Sequence, residues 1–226
     1  MDYRLSRKSR KRGRIPAAIA TAALAAAAVT GCASGSAGTT NDNPGLLLIN
    51  AGKFKGNITT PVAKPAGVLT DDAGKPFNIR TMTRNTVTLL YFGYTHCQNM
   101  CPLTMGNTAT ALEMLPEADQ AKIKVIFVSV DPGRDTLARL RYWLGQFNPA
   151  FIGLRGSLPV VESMERQTGL PIGQEFKDGA GKYQINHATE MFAYSIDNLG
   201  HEAFFPSTPA ASMAHDLALL VAGHHA

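Results

Sequence analysis

The chain has 226 residues, with 22 Lys+Arg, 17 Asp+Glu and three cysteines. Seven of the basic residues but only one acidic residue fall within residues 1–31, which leaves 15 against 16 and a formal charge of −1 for the rest. The basic excess therefore belongs to one terminal segment, and a nucleic-acid-binding function loses its main support.

That segment has the order of an export signal. Arg4, Arg7, Lys8, Arg10, Lys11, Arg12 and Arg14 form a basic region, and Ile15 to Val29 is an uncharged, alanine-rich stretch. Its length, about fifteen residues, falls short of the roughly 18–20 needed to span a bilayer. Val29-Thr30-Gly31-Cys32 then places small residues directly before a cysteine. This matches a bacterial lipoprotein signal, with residues 1–31 removed and Cys32 lipidated, on the extracytoplasmic face of the cell membrane. Ser34 to Pro44 is rich in Gly, Ser, Thr and Asn, and residues 32–60 read as a flexible tether. Residues 61–226 are left for one domain with its own core.

Val68-Leu69-Thr70 and Pro76-Phe77-Asn78-Ile79, separated by a turn at Gly74, predict a small N-terminal hairpin. Thr86 to Phe92 is a nearly continuous apolar run, as in a strand buried on both faces. It leads through Gly93-Tyr94-Thr95-His96 to Cys97, and Pro102 fits the first turn of a helix that ends before Pro116. Lys124 to Val130 is a second apolar strand. Thr136 to Phe147 is an amphipathic helix with Asp135 as its expected N-cap, and Asp131-Pro132 reads as a turn starter. A short strand at Phe151 to Leu154 and a helix at Val160 to Thr168 follow. Glu190 to Ile196 and His201 to Phe205 form a hairpin, and a last helix runs from Thr208 to Val221. This order suggests an α/β thioredoxin-like fold, a central mixed sheet flanked by helices.

Once Cys32 is assigned to lipidation, Cys97 and Cys101 remain, four residues apart. So short a loop barely constrains an unfolded chain, so the pair reads as redox-active or metal-binding rather than structural. With Cys101 in the first helical turn, unpaired backbone N–H groups and the helix dipole favour thiolates at that end. Two thiolates make a soft site suited to Cu(I), Zn or an iron–sulfur cluster, and a specific site calls for a third ligand. The same sulfurs could instead close to a disulfide and reopen.

Tyr91 to Thr104 (YFGYTHCQNMCPLT) resembles the signature of the SCO/SenC family, copper chaperones of cytochrome c oxidase assembly. Asp131 to Thr136 (DPGRDT) is similar to its second motif, and Asn186-His187-Ala188-Thr189 occupies the place of its histidine. Leu69 to Phe77 resembles its entry hairpin, so the likeness spans roughly Gly67 to Leu220. It implies Cys97, Cys101 and His187 as ligands of a copper ion, Cu(I) or Cu(II). It further implies delivery of copper, or of reducing equivalents, to the dinuclear copper site of cytochrome c oxidase subunit II. Bacterial members often carry Pro-Asp or a similar pair after the first cysteine, whereas Gln98-Asn99-Met100 stands here.

A thiol–disulfide oxidoreductase of the extracytoplasmic space without obligatory metal is the alternative, and only the copper reading needs His187. Met100 offers a third soft sulfur, for transient ligation or for packing. His96 is a ligand candidate whose side chain should diverge from that of Cys97. Asp131 and Asp135 divide between tuning the site and serving as turn and cap. His201 and His215 read as exposed, and His224-His225 as an adventitious metal tail.

Overall fold

The computed structural model describes Leu48–Ile49 and residues 53–224. The expected signal at residues 1–31, the Cys32 lipidation site, most of the tether and His225 lie outside the described residues.

Val87–Gly93 (β5) is buried along its whole length, as its apolar run predicts. It pairs in parallel with Ile123–Ser129 (β6), which pairs in parallel with Ile152–Arg155 (β7). The entry hairpin, Val68–Asp71 (β3) and Pro76–Asn78 (β4), extends this side through an antiparallel β3–β7 pair. On the other side β5 pairs antiparallel with Met191–Tyr194 (β10), and β10 with Leu199–Phe204 (β11). Asn57–Ala63 (β2) and Leu48–Ile49 (β1) complete a nine-stranded mixed sheet in the order β1-β2-β11-β10-β5-β6-β7-β3-β4. Gln174–Lys177 (β8) and Tyr183–Asn186 (β9) form a separate two-stranded hairpin.

The helices are Ile79–Met82 (α1), Met100–Glu113 (α2), Glu117–Gln120 (α3), Leu137–Leu144 (α4), Leu158–Gln167 (α5) and Ala210–Val221 (α6). α2 packs against α6, and α4 against β7. The architecture is thioredoxin-like, with the expected hairpin, strands and long helices in place. None of the described helices is long and apolar enough to cross a membrane.

Three expectations need correction. The sheet takes in Asn57 to Thr60, which were assigned to the tether; Phe54, Ile58 and Thr59 are buried. Pro61 hid this strand, and β2 tolerates it because β1 reaches only Ile58 and Thr59 and the β11 ladder is irregular between Gly200 and Glu202. Asp135 is not the cap of α4. Thr136 is, its side chain accepting the Arg139 N–H at 3.1 Å. His201 is buried and lies 2.9 Å from the Asp197 carboxylate, whereas His215 is exposed as expected, 2.7 Å from Asp216.

Candidate metal centre

Strand β5 ends at Gly93, and the four residues after it carry the chain to Cys97. Helix α2 starts at Met100, with Asn99 as an N-cap whose side chain makes no capping bond. Its first-turn N–H groups are therefore open to another acceptor. One is taken by a sulfur: the Cys101 backbone N–H donates to Cys97 Sγ at 3.4 Å.

The two thiols are unequal. Cys101 is fully buried and Cys97 half-buried, and both are free. Hydrogen bonding from Cys101 holds the Cys97 thiol well below the usual thiol range, against a contrary effect of burial. Burial pushes Cys101 up, and the neighbouring Cys97 adds to the rise. The thiolate character expected of the helix entrance thus falls on Cys97, because the helix N–H points at that sulfur while Cys101 is sealed from water. The Tyr91 hydroxyl donates to Cys101 Sγ at 3.7 Å.

His187 follows directly after β9. Its Nε2 lies 3.5 Å from Cys101 Sγ, and its Nδ1 lies 2.6 Å from the Ala188 carbonyl oxygen. A carbonyl only accepts, so Nδ1 carries the hydrogen and the Nε2 lone pair faces the sulfurs. Metal-ligating histidines are held in the same way, by a carbonyl or carboxylate on the far ring nitrogen. The rings of Tyr91 and Tyr94 stand edge-on to the imidazole, at centroid distances of 6.0 and 5.5 Å. Tyr94 also pins the hairpin: its hydroxyl donates to Gln184 Oε1 at 2.9 Å and accepts the Ile185 N–H at 3.4 Å.

One ligand atom each from Cys97, Cys101 and His187 lie within 4.8 Å of one another. Two sulfurs and an sp² nitrogen at that spacing suit a soft or borderline ion, and no hard carboxylate shares the cluster. The donor set fits copper.

The other residues singled out in the sequence fall elsewhere. Met100 opens α2 and is 40% exposed. His96 turns away from the sulfurs toward Asp135, with Nδ1 3.4 Å from Oδ1. His96, Asp131 and Asp135 also converge within 4.8 Å. Their carboxylates are already engaged, however, Asp135 by Thr95 and Ser129 and Asp131 by Arg134 at 2.5 Å.

Arg134 stands in the DPGRDT motif, and no local sequence feature marks Tyr183. The Arg134 guanidinium lies 4.0 Å from the centre of the Tyr183 ring, on the strand that leads to His187. The turn from Asp131 to Asp135 therefore touches both halves of the site. Asp135 holds the thiol loop and Arg134 holds the histidine hairpin. The motif spelled out these residues, but nothing in their spacing told which partners they reach.

A thioredoxin-like sheet with two thiols at the head of a helix and an imidazole delivered across from them defines a thiol- and histidine-based metal-binding class. The SCO1/SenC family pattern matches residues 62–222, and the chain belongs to that family. It is 38% identical over 134 residues to the mitochondrial protein SCO2 of Saccharomyces cerevisiae, covering 58% of this chain and 43% of that protein. The first three curated relatives are spanned over only 43%, 62% and 44% of their lengths.

Among solved structures, Bradyrhizobium japonicum ScoI with copper bound is similar at a TM-score of 0.62 and 27% identity. The match covers 70% of this chain and 98% of that one. Apo Sco1 of Thermus thermophilus is similar at 0.65 and 30% identity, covering 74% and 96%.

Proposed function

We propose that this protein binds one copper ion, as Cu(I) or Cu(II), through Cys97, Cys101 and His187 and delivers it to the dinuclear copper site of cytochrome c oxidase subunit II. The reading rests on the convergence of two sulfurs and one correctly protonated imidazole within 4.8 Å. It is supported by membership of a family whose proteins act in cytochrome c oxidase assembly. Copper is cargo here. Cys97, already inclined to the thiolate, is the entry ligand; Cys101 and His187 close around the ion behind it.

The proposal includes an N-terminal lipid anchor at Cys32 on the extracytoplasmic face, argued from the order of residues 1–32. Confinement of carrier and target to one membrane raises their effective concentration without any further contact. Closure of Cys97 and Cys101 to a reversible disulfide removes two of the three ligands, so the oxidised form does not hold the metal.

The discriminating experiment is copper titration of the reduced and oxidised protein, with spectroscopy of sulfur and nitrogen ligation, on wild type and His187→Ala. One equivalent bound by the reduced wild type and lost in the variant is the expected result. A thiol–disulfide oxidoreductase would instead give full disulfide-reductase activity and unimpaired oxidase assembly in His187→Ala.

A further inference from the structure

At the pole of the sheet opposite the thiols lies a cleft of about 390 Å³, bordered by Lys64, Arg80, Arg84, Asp197 and Asn198. Arg84 lies just before β5 and the thiols just after it, so the seven residues of that strand, at about 3.3 Å each, put the cleft roughly 20 Å from the metal centre.

The cleft is cationic with little to balance it. Arg84 makes no hydrogen bond or ion pair with any described residue. Arg80 spends its Nε–H on the Lys64 carbonyl oxygen, which leaves the rest of its guanidinium fork. Lys64 is fully buried, and its ammonium gives two hydrogen bonds, to the Thr83 carbonyl and hydroxyl oxygens, both at 3.0 Å. An ammonium has three N–H groups, and beyond these two oxygens its nitrogen faces the Tyr194 ring, 6.0 Å from the ring centre. Lys124, bonded to the Met82 carbonyl oxygen at 2.7 Å, adds a fourth positive charge at this pole.

The single carboxylate is committed elsewhere. Asp197 is held by the Ser195 hydroxyl, by the Leu199 N–H at 2.7 Å and by His201 at 2.9 Å. Burial lowers Lys64 to about 8, with Asp197 acting the other way and Lys124 reinforcing the drop. Asp197 thus acts on the buried ammonium only from a distance, with no direct ion pair between them among the described residues. The side-chain oxygen of Asn198, also at the rim, is buried with no partner among the described residues. Turning that amide end for end would present its two N–H donors instead.

We propose that this cleft is a phosphate-binding site, in which Arg80 and Arg84 donate to a phosphate carried on an anionic lipid headgroup or free in solution, with the buried charge of Lys64 adding positive potential beneath it. Guanidinium forks match phosphate oxygens, and Arg84 has its whole fork to offer. Binding here is independent of the copper ligands. If the chain is also held at a membrane, a headgroup bound here turns the thiol pole away from the bilayer.

The test uses the full chain and the Arg84→Gln variant, which alters an exposed side chain and leaves the copper stoichiometry as a folding control. Inorganic phosphate is titrated while NMR follows the side-chain signals of Arg84 and Asn198. In parallel, both proteins are sedimented with vesicles of phosphatidylglycerol in phosphatidylcholine and of phosphatidylcholine alone. Saturable shifts at both residues are expected, with affinity about tenfold weaker in the variant after loss of a charge-assisted donor.

If the variant also loses binding to the phosphatidylglycerol vesicles, the ligand is a lipid headgroup. If vesicle binding is equal while the phosphate shifts differ, the ligand is a free phosphate. Absence of saturable shifts at Arg84 and Asn198 in the wild type overturns the proposal.

Discussion

The buried Asp135 carboxylate grips Thr95 twice, accepting the backbone N–H at 3.1 Å and the hydroxyl at 2.6 Å. Thr95 stands two residues before Cys97. The Ser129 hydroxyl donates to the same carboxylate at 2.7 Å. A residue 40 positions away in sequence thus fixes the start of the thiol loop to the end of β6. Asp135→Ala strands three buried donors, each costing about 1–3 kcal/mol when unsatisfied. The expected loss of stability is about 2–4 kcal/mol, read as a lower urea midpoint, together with faster alkylation of Cys97. Asp135→Asn keeps the shape and should lose less. An unchanged midpoint in the alanine variant would show that the carboxylate is not the tie.

The inequality of the two sulfurs fixes how their labelling depends on pH. An ordinary thiol, with a pKa near 8.5, loses roughly a hundredfold of its thiolate between pH 8 and pH 6. Cys97 is held well below that range by hydrogen bonding from Cys101, so its thiolate persists throughout. Iodoacetamide should modify Cys97 at rates within about threefold of each other at pH 6 and pH 8. Cys101, buried and pushed up, should label only on unfolding. Mass spectrometry of peptides from a timed reaction gives the answer, and equal labelling of both cysteines at pH 6 contradicts it.

What the sequence made legible was whatever has a short-range signature. The run from Thr86 to Phe92 reads as a buried strand, and Pro102 after the two cysteines fits the first turn of a helix. β8 escaped because all four of its residues are exposed, so no alternation of apolar and polar marks it. β2 escaped because Pro61 interrupts it. Asp135 was read as a cap because its neighbours in sequence suggested one, while its partners, Thr95 and Ser129, lie at the ends of other strands. The placement of His187 against the sulfurs came only from resemblance, since nothing local in Asn186-His187-Ala188 specifies a contact 86 residues away.

Gly93 marks where packing around the thiols leaves no room. A Cβ there would come within 2.7 Å of the Tyr91 ring, 3.0 Å of Cys101 Sγ and 3.0 Å of the Phe127 ring. None of these is the end of a flexible side chain, so Gly93→Ala must displace the sulfur or the rings. Overpacking of this kind costs about 1–3 kcal/mol. The expected result is a lower melting temperature and weaker copper binding, with one equivalent still bound at saturation. A variant with wild-type affinity and stability would mean that the ring of Tyr91 yields freely.

A buried acid far from the thiols makes stability depend on pH. Glu202, on β11, is fully buried, and neither of its carboxyl oxygens has a hydrogen-bond partner among the described residues. Burial, with the neighbouring Asp216 carboxyl second, pushes it up to about 10. Asp216 is itself occupied by the N–H groups of Lys55 at 2.8 Å and Gly56 at 2.7 Å, which tie the entry segment to α6. Between pH 4.5, the ordinary value for this carboxyl, and about 10, the folded protein keeps a proton on Glu202 that the unfolded chain releases. The unfolded state binds fewer protons, so stability falls as pH rises through that window. Glu202→Gln holds the neutral shape without the proton. It should match the wild type below about pH 4.5 and exceed it at pH 8, by at most about 5 kcal/mol, since each tenfold change in acidity is worth about 1.4 kcal/mol. Urea unfolding of both proteins from pH 4 to pH 9 provides the measurement, and parallel stability profiles would show that Glu202 is not the protonated acid.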